Sequence, residues 1–455
     1  MRVLLSWPIR LFKAYRQSIA YLPSVLAVAY GLLGLSALLL PISNEHLPTP
    51  VTALGLEAPG NTRSLLAALL GGMISLMVFS FSMVMSVLSQ AGGQFSHKLV
   101  FGLISERPHQ WVLGHYLGTI LFILMLLIVP DVASGETAWR SLAIYLACAM
   151  VVHCLGLFVY FIHNASESIQ IDAVASGLHR TTLAALRVLQ ERQRDAAWRF
   201  LPTVVPTGHP RHVVHARRAG YLQNADLPAL AKLAAQGDGI VHLHFRFGDY
   251  VVEGLPILSL EAETPPGETW CDEVRATLTY VEGESITEHH VYGLTQLMEV
   301  AIKALSPGVN DPGTARLCIH RLTDLLARQL QWQPSNTLLD QSGTRRVTWP
   351  LERFDDLLYR LFHPILHYGR QDVSIGLGLL KALKTLSLFA KGEDLETLQA
   401  HAERVIETLA RTAHHPLDRR FIASRLTAGT HRLDLPLQLP TPEGQARGRG
   451  GERTQ

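Results

Sequence analysis

The chain has 455 residues, 48% of them hydrophobic, with 40 Lys and Arg against 38 Asp and Glu and a formal net charge of +2. Near-neutral charge without a basic stripe of interleaved aromatics argues against a nucleic-acid partner. The apolar share is high for a soluble protein and is concentrated before residue 163, which suggests a membrane half followed by a soluble half.

Residues 1–18 carry Arg2, Arg10, Lys13 and Arg16 without an acid, and Ile19 to Leu40 is then apolar and closed by Pro41. The run is too long for a secretory leader and lacks a small-x-small cleavage site, so it is read as a first spanning helix with a cytoplasmic N-terminus. Ile42 to Arg63, rich in Pro, Gly and Asn, reads as an external connection. Ser64 to Leu88 is uncharged and long enough at 1.5 Å per residue to cross a roughly 30 Å hydrocarbon core.

This second span is two-sided. At 3.6 residues per turn Ala68, Gly71, Ser75, Ser82, Ser86, Ser89 and Gly93 share a narrow stripe, and Leu70, Met73, Met77, Phe81, Val84 and Leu88 lie opposite. The apolar side is expected to face lipid. The small side is either a close helix-packing face or the lining of an aqueous path, and Ser80 fits neither.

Trp111 to Val129 and Ser141 to Ile162 complete four spans over residues 19–162, and basic residues near the ends place both termini in the cytoplasm. His115 and His153 lie within spans, as interhelical hydrogen-bonding groups or as proton or ligand sites. A membrane-exit helix is expected over 163–200, opening with a polar collar in which His163, Glu167 and Gln170 share one face. The collar is either solvated charge at the membrane surface or the ring of a pore mouth.

Pro202 to Pro210 reads as a linker. Residues 211–284 are expected to form a small β-rich domain with one helical insert at Leu227 to Gln236. Ile240 to Phe247 alternates and ends in a Gly248-Asp249 turn; His242 and His244 then fall on its solvated face, short of a metal site for want of a third ligand. From 287 to 436 the pattern is helical throughout. Ser306, Pro307 and Gly308 stop one helix, and Asn310 or Asp311 caps the next, with Pro312 in its first turn. Asn310, Asp311 and Thr314 are also a candidate ion or anion site. Residues 437–455, rich in Pro, Gly and Arg, read as a disordered tail. Cys148, Cys154, Cys271 and Cys318 show no paired C-x-x-C spacing and read as apolar filler.

Four spans, the segments ERPHQWVLGHYLGT, FIHNASESIQ and RFGDYVVEG, and above all ALSPGVNDPGTA together resemble the bacterial predicted membrane proteins of the DUF2254 family, over nearly the whole chain up to about residue 415. The resemblance implies a membrane α-helical domain followed by a cytoplasmic α+β region in a bacterial inner membrane, and it carries no established activity. Where the family often has an acidic or aromatic stretch before the helix near 290, this chain has EHHVYGLTQL.

Phosphate-loop, G-x-S-x-G and H-E-x-x-H patterns are absent from the sequence, so the protein is not expected to be an enzyme or to hold a metal or cofactor. The expected partners are the lipid bilayer and further copies of the chain. Two functions fit: a homo-oligomeric channel with a cytoplasmic gating domain, or a membrane-anchored cytoplasmic sensor that binds a ligand or partner.

Overall fold

The computed structural model describes residues 20–39, 59–94, 107–128, 137–168, 171–193, 199–201, 211–281, 286, 289–332 and 334–440. The expected N-terminal segment 1–18, the 202–210 linker and most of the expected tail lie outside them. The chain divides into two compact units, 1–170 and 171–455.

The first unit holds α1 (Tyr21–Leu39), α2 (Pro59–Gln94), α3 (Arg107–Ile128) and α4 (Thr137–Ser168). Long apolar runs without acids leave the backbone no better partner than itself, and the helix is the result. Three of the four contain windows long and apolar enough to cross a membrane: Thr62–Ser86, His109–Ile128 and Ser141–Asn164. In α1 the apolar window, Tyr21–Ser36, is shorter.

Close packing of α1 on α3 depends on missing side chains. A Cβ on Gly118 would lie 2.7 Å from Cγ of Tyr30, and one on Gly114 would lie 2.6 Å from Cδ1 of Leu26 and 3.1 Å from the Pro23 backbone. These two glycines, four apart, form the small-xxx-small face that lets membrane helices approach. Tyr116, Phe122 and Ile123 of α3 fill the core beside them, with Leu66 and Met73 of α2 and Ala147 and Cys154 of α4.

The second unit opens with α5 (Ile171–Gln193), a separate element from α4, with residues 169 and 170 outside the described residues. There follow β1 (Arg199–Leu201), β2 (Arg211–His215), β3 (Gly220–Ala225), α6 (Leu227–Gln236), β4 (Ile240–Leu243), β5 (Tyr250–Val251), β6 (Pro256–Glu261), α7 (Glu268–Ala276) and β7 (Leu278–Val281). Then come α8 (His290–Ala304), α9 (Pro312–Leu330), β8 (Thr337–Leu339), β9 (Arg345–Thr348), α10 (Phe354–Tyr368), α11 (Val373–Ser387), α12 (Glu393–Thr412) and α13 (Pro416–Leu426).

A six-stranded sheet runs β1-β8-β9-β4-β6-β2, and a three-stranded one runs β5-β3-β7. Only β4 with β9 pairs in parallel among these neighbours, setting Val241 against Val347. The expectation of unbroken helix beyond residue 287 fails here. Asp340 Oδ1 accepts from the backbone N–H groups of Ser342 and Thr344, both at 2.9 Å, and folds Asp340-Gln341-Ser342-Gly343 into a hairpin turn. The apolar Leu338 and Val347 on either side, both fully buried, then complete the sheet. Side chains of that sheet, among them Val241, Ile257 and Leu258, form one core with Leu230 and Ala234 of α6.

Candidate functional site

The small-residue stripe of α2 is not the face that packs within the chain. Ser75, Ser82, Ser86 and Ser89 are exposed, as is Gly71, whose carbonyl accepts from Ser75 Oγ at 2.9 Å. The opposite side is buried, with Met73 and Leu66 at 1% and 2% exposure, and Ser80 lies there, donating to the Leu76 carbonyl at 2.8 Å. Inside one chain the expected sidedness is therefore reversed at Met73 and kept at Phe81, which is 59% exposed. Bulky apolar residues interlock with α3 and α4, and a serine hydroxyl that returns its bond to its own helix needs no neighbour. His115 Nδ1 lies 2.7 Å from the Tyr30 hydroxyl, an interhelical hydrogen bond, and its ring packs edge-on against His153 with centroids 5.2 Å apart. His163 of the collar is exposed; the side chain of Glu167 and all of Gln170 lie outside the described residues.

The 306–314 turn is satisfied locally. Asn310 holds φ at 48° and Asp311 caps α9, accepting from Thr314 N–H at 3.1 Å and from the Thr314 hydroxyl. Those bonds keep the Asp311 carboxyl below its ordinary value. Ser306 donates to the Lys303 carbonyl at 2.6 Å, closing α8, while Pro307 and Gly308 make the turn and Pro312 begins α9.

The chemistry gathers elsewhere, in a cavity of about 920 Å³ inside the second unit. Its walls come from α5, the end of β3, the Arg246–Asp249 turn, β7, the start of α8, the end of α9 and the segment after β9. Gly248 makes the turn possible with φ of +103°. Its carbonyl accepts from the Tyr292 hydroxyl at 2.7 Å, and a Cβ there would meet that hydroxyl at 2.8 Å. Asp249 Oδ2 accepts from Arg246 N–H at 2.8 Å, and the turn is tied to β3 by Gly248 N–H to the Leu222 carbonyl at 2.7 Å. The start of α8 is set by its packing on α5: a Cβ on Gly293 would collide with the buried Thr182.

Four aromatic side chains line the space: Phe247, Tyr292, Trp332 and Trp349. Phe247 and Trp349 contact each other at 6.4 Å between ring centroids. Opposing charge is already matched at one edge, where Arg360 Nη2 donates to both Glu352 carboxylate oxygens at 2.8 and 2.9 Å and Nη1 donates to Thr295 at 2.9 Å. His289 and His290 lie between, their rings stacked at 5.6 Å and 9°. Burial, with Arg360 beside it, pushes His289 down to about 4, and burial, with His289 beside it, pushes His290 down to about 3. Both are neutral imidazoles at neutral pH, each with one donor and one acceptor nitrogen. His289 Nδ1 is buried without a hydrogen-bond partner among the described residues.

A second polar group resembles catalytic machinery and is closed to substrate. His242 Nε2 donates to Glu261 Oε2 at 2.7 Å and Nδ1 accepts from the Thr348 hydroxyl at 2.7 Å, the order of a nucleophile, base and acid. Thr348 is 5% exposed and Glu261 2%, so the group is a hydrogen-bond network inside the sheet. Burial lowers the His242 pKa and keeps its ring neutral. The expected solvated face therefore holds for exposed His244 and fails for His242, because β4 lies inside the sheet and Thr348 reaches it from β9.

No sequence signal could have assembled this cavity, which draws on residues 185 to 360. The two adjacent histidines of EHHVYG were the only local marker.

Residues 16–385 match the family DUF2254, described as a predicted membrane protein. Two uncharacterised proteins, of Mycobacterium bovis and Mycobacterium tuberculosis, are each 26% identical over 442 residues, spanning 94% of this chain and 83% of the relative. No solved structure matches. With apolar helices of membrane-spanning length, an α+β unit after them and a family match over most of its length, the chain belongs to the DUF2254 family of predicted membrane proteins.

Proposed function

We propose that the protein is a membrane-anchored sensor whose second unit binds a small molecule in the aromatic-walled cavity. The observation that carries this reading is the cavity itself: about 920 Å³, within the range of small-molecule sites, apolar in its walls and furnished with a few convergent polar groups. The reading is of binding without catalysis. The Tyr292 hydroxyl is engaged by the Gly248 carbonyl and the Thr277 hydroxyl by the Val274 carbonyl, which leaves no activated nucleophile among these groups. All four helices of the first unit span the bacterial inner membrane in this reading, with both termini and the second unit in the cytoplasm, as the basic residues 2–16 favour.

Thr279 lines the cavity from the exposed side of β7, so Thr279→Trp fills the space without entering the core. Full-length protein purified in detergent is denatured and its released small molecules are compared by mass spectrometry. A compound recovered from the wild type and depleted at least about tenfold in Thr279→Trp supports the reading. Equal recovery from both, or none from the wild type together with no thermal shift from a metabolite panel, overturns it.

A second reading, a homo-oligomeric pore, is favoured by the exposure of Ser75, Ser82, Ser86 and Ser89 in the single chain. It requires that Ser82→Leu and Ser86→Leu abolish ion flux in reconstituted vesicles while leaving assembly intact; unchanged flux eliminates it.

A further inference from the structure

A second concavity, of about 510 Å³, lies between α10 and α12 and is lined by His363, His367, Arg370, Arg404, Glu407 and Arg411 among others. Its charge is unbalanced. Arg411 Nη2 donates to Glu407 at 3.3 Å, one turn back on α12, so that pair is accounted for. Neither Arg370 nor Arg404 has an ion-pair partner among the described residues.

The Arg404 side chain and the Arg370 backbone are each held in place. The Arg404 guanidinium lies over the Tyr359 ring at 5.4 Å, and Tyr359 in turn stacks on His363 at 4.7 Å and 16°. Arg370 follows α10 in a turn whose carbonyl accepts from the Thr412 hydroxyl at 2.9 Å, which fixes that turn to the end of α12. Arg370 and Arg404 both line this cleft, so an anion that enters it meets two positive side chains. Planar guanidinium forks match phosphate oxygens in geometry as well as charge. His363 also lines the cleft, and burial and Arg404 hold its ring below its ordinary pKa, so it adds no third positive charge there at neutral pH.

We infer that the cleft between α10 and α12 binds a small phosphate-bearing anion of charge two or more through Arg370 and Arg404. The chemistry is common to a free phosphate compound and a lipid phosphate headgroup, and the test separates them. It is independent of the aromatic-walled cavity, since the two share no lining residue.

The probes are inorganic pyrophosphate, titrated calorimetrically into full-length protein in detergent, and phosphatidic acid, included in phosphatidylcholine nanodiscs holding the full-length protein and read by thermal shift. The comparison is with R370Q/R404Q, whose two positions are exposed and whose fold is verified by its thermal transition. Pyrophosphate binding weakened at least about tenfold in the double variant supports a free anion. A phosphatidic acid shift present in the wild type and lost in the variant, without pyrophosphate binding, supports the headgroup. Binding of either probe that is equal in wild type and variant, or the absence of both responses in the wild type, overturns the proposal. Should R370Q/R404Q unfold, the single variants Arg404→Lys and Arg370→Lys, which keep charge and remove the fork, are read by the same criteria.

Discussion

The two units differ in how many polar bonds tie distant segments together: single links join helices in the first, and multiple bonds meet at one group in the second. In the first unit the serines of α2 return their hydroxyls to their own helix, exposed Ser75 to the Gly71 carbonyl and buried Ser80 to the Leu76 carbonyl, and helices are joined by single bonds, Tyr30 with His115 and Thr119 with Cys154. In the second unit polar groups join distant parts of the chain. Lys384 on α11 donates to the carbonyls of Arg425, Leu426 and Ala428 at 2.7 to 2.8 Å, ending α13 and fastening the segment after it. His242, Glu261 and Thr348 link three strands in the same manner. Helices in an apolar solvent must satisfy themselves before they meet. An α+β unit can leave its polar groups to be matched by tertiary contacts, and those contacts are where cavities and clefts arise.

The largest test of this contrast is acid. His289 and His290 have folded values of about 4 and about 3 against an ordinary value of 6.5. The unfolded chain therefore binds more protons between those limits, and stability falls as pH drops below about 6.5, continuing until the folded values are passed. The expected loss is on the order of 5 kcal/mol by pH 4, read as a lowered thermal transition of the second unit, and His289→Gln with His290→Gln flattens it. A transition independent of pH over that window would remove these imidazoles from the account.

Lys384→Met comes next. It leaves three carbonyls without their donor, and a loss of about 3 kcal/mol is expected in denaturant unfolding of the full-length protein in detergent. A loss under about 0.5 kcal/mol would mean that water replaces the ammonium at no cost.

The smallest effect belongs to the first unit, where α1 packs on the glycines of α3 beside the Tyr30–His115 bond. Gly118→Ile drives a side chain into Tyr30, and overpacking of this kind costs about 1 to 3 kcal/mol. A disulfide engineered between α1 and α3 should then form more slowly in the variant. If its rate is unchanged, the two helices yield without strain and the glycines are not what sets their approach.

Much of the first unit was legible. Apolar runs such as Ser64 to Leu88 announce spanning helices because length and lack of charge are properties of the segment alone. The glycine pair was also legible, since Gly114 and Gly118 stand four apart inside ERPHQWVLGHYLGT, yet the serine stripe of the preceding helix carried the stronger pattern. Spacing tells which residues share a face, and it does not tell which face meets a neighbour. The Asp311 cap was legible for the same reason as the spans: an N-cap is a bond between residues three apart.

The candidate sites were not legible, because their members have no common period. Trp349 reaches Phe247 only because β9 enters the sheet beside β4, and Arg404 comes near Tyr359 only because α12 packs on α10. The sequence by itself determined where the long apolar helices run and where α9 is capped, since each of those outcomes rests on bonds or composition within a short segment. The buried network at His242, the paired imidazoles at 289 and 290, and the unmatched arginines at 370 and 404 were decided by tertiary structure alone. Their surroundings are supplied by segments far apart in the chain, and burial and charge balance are properties of those surroundings.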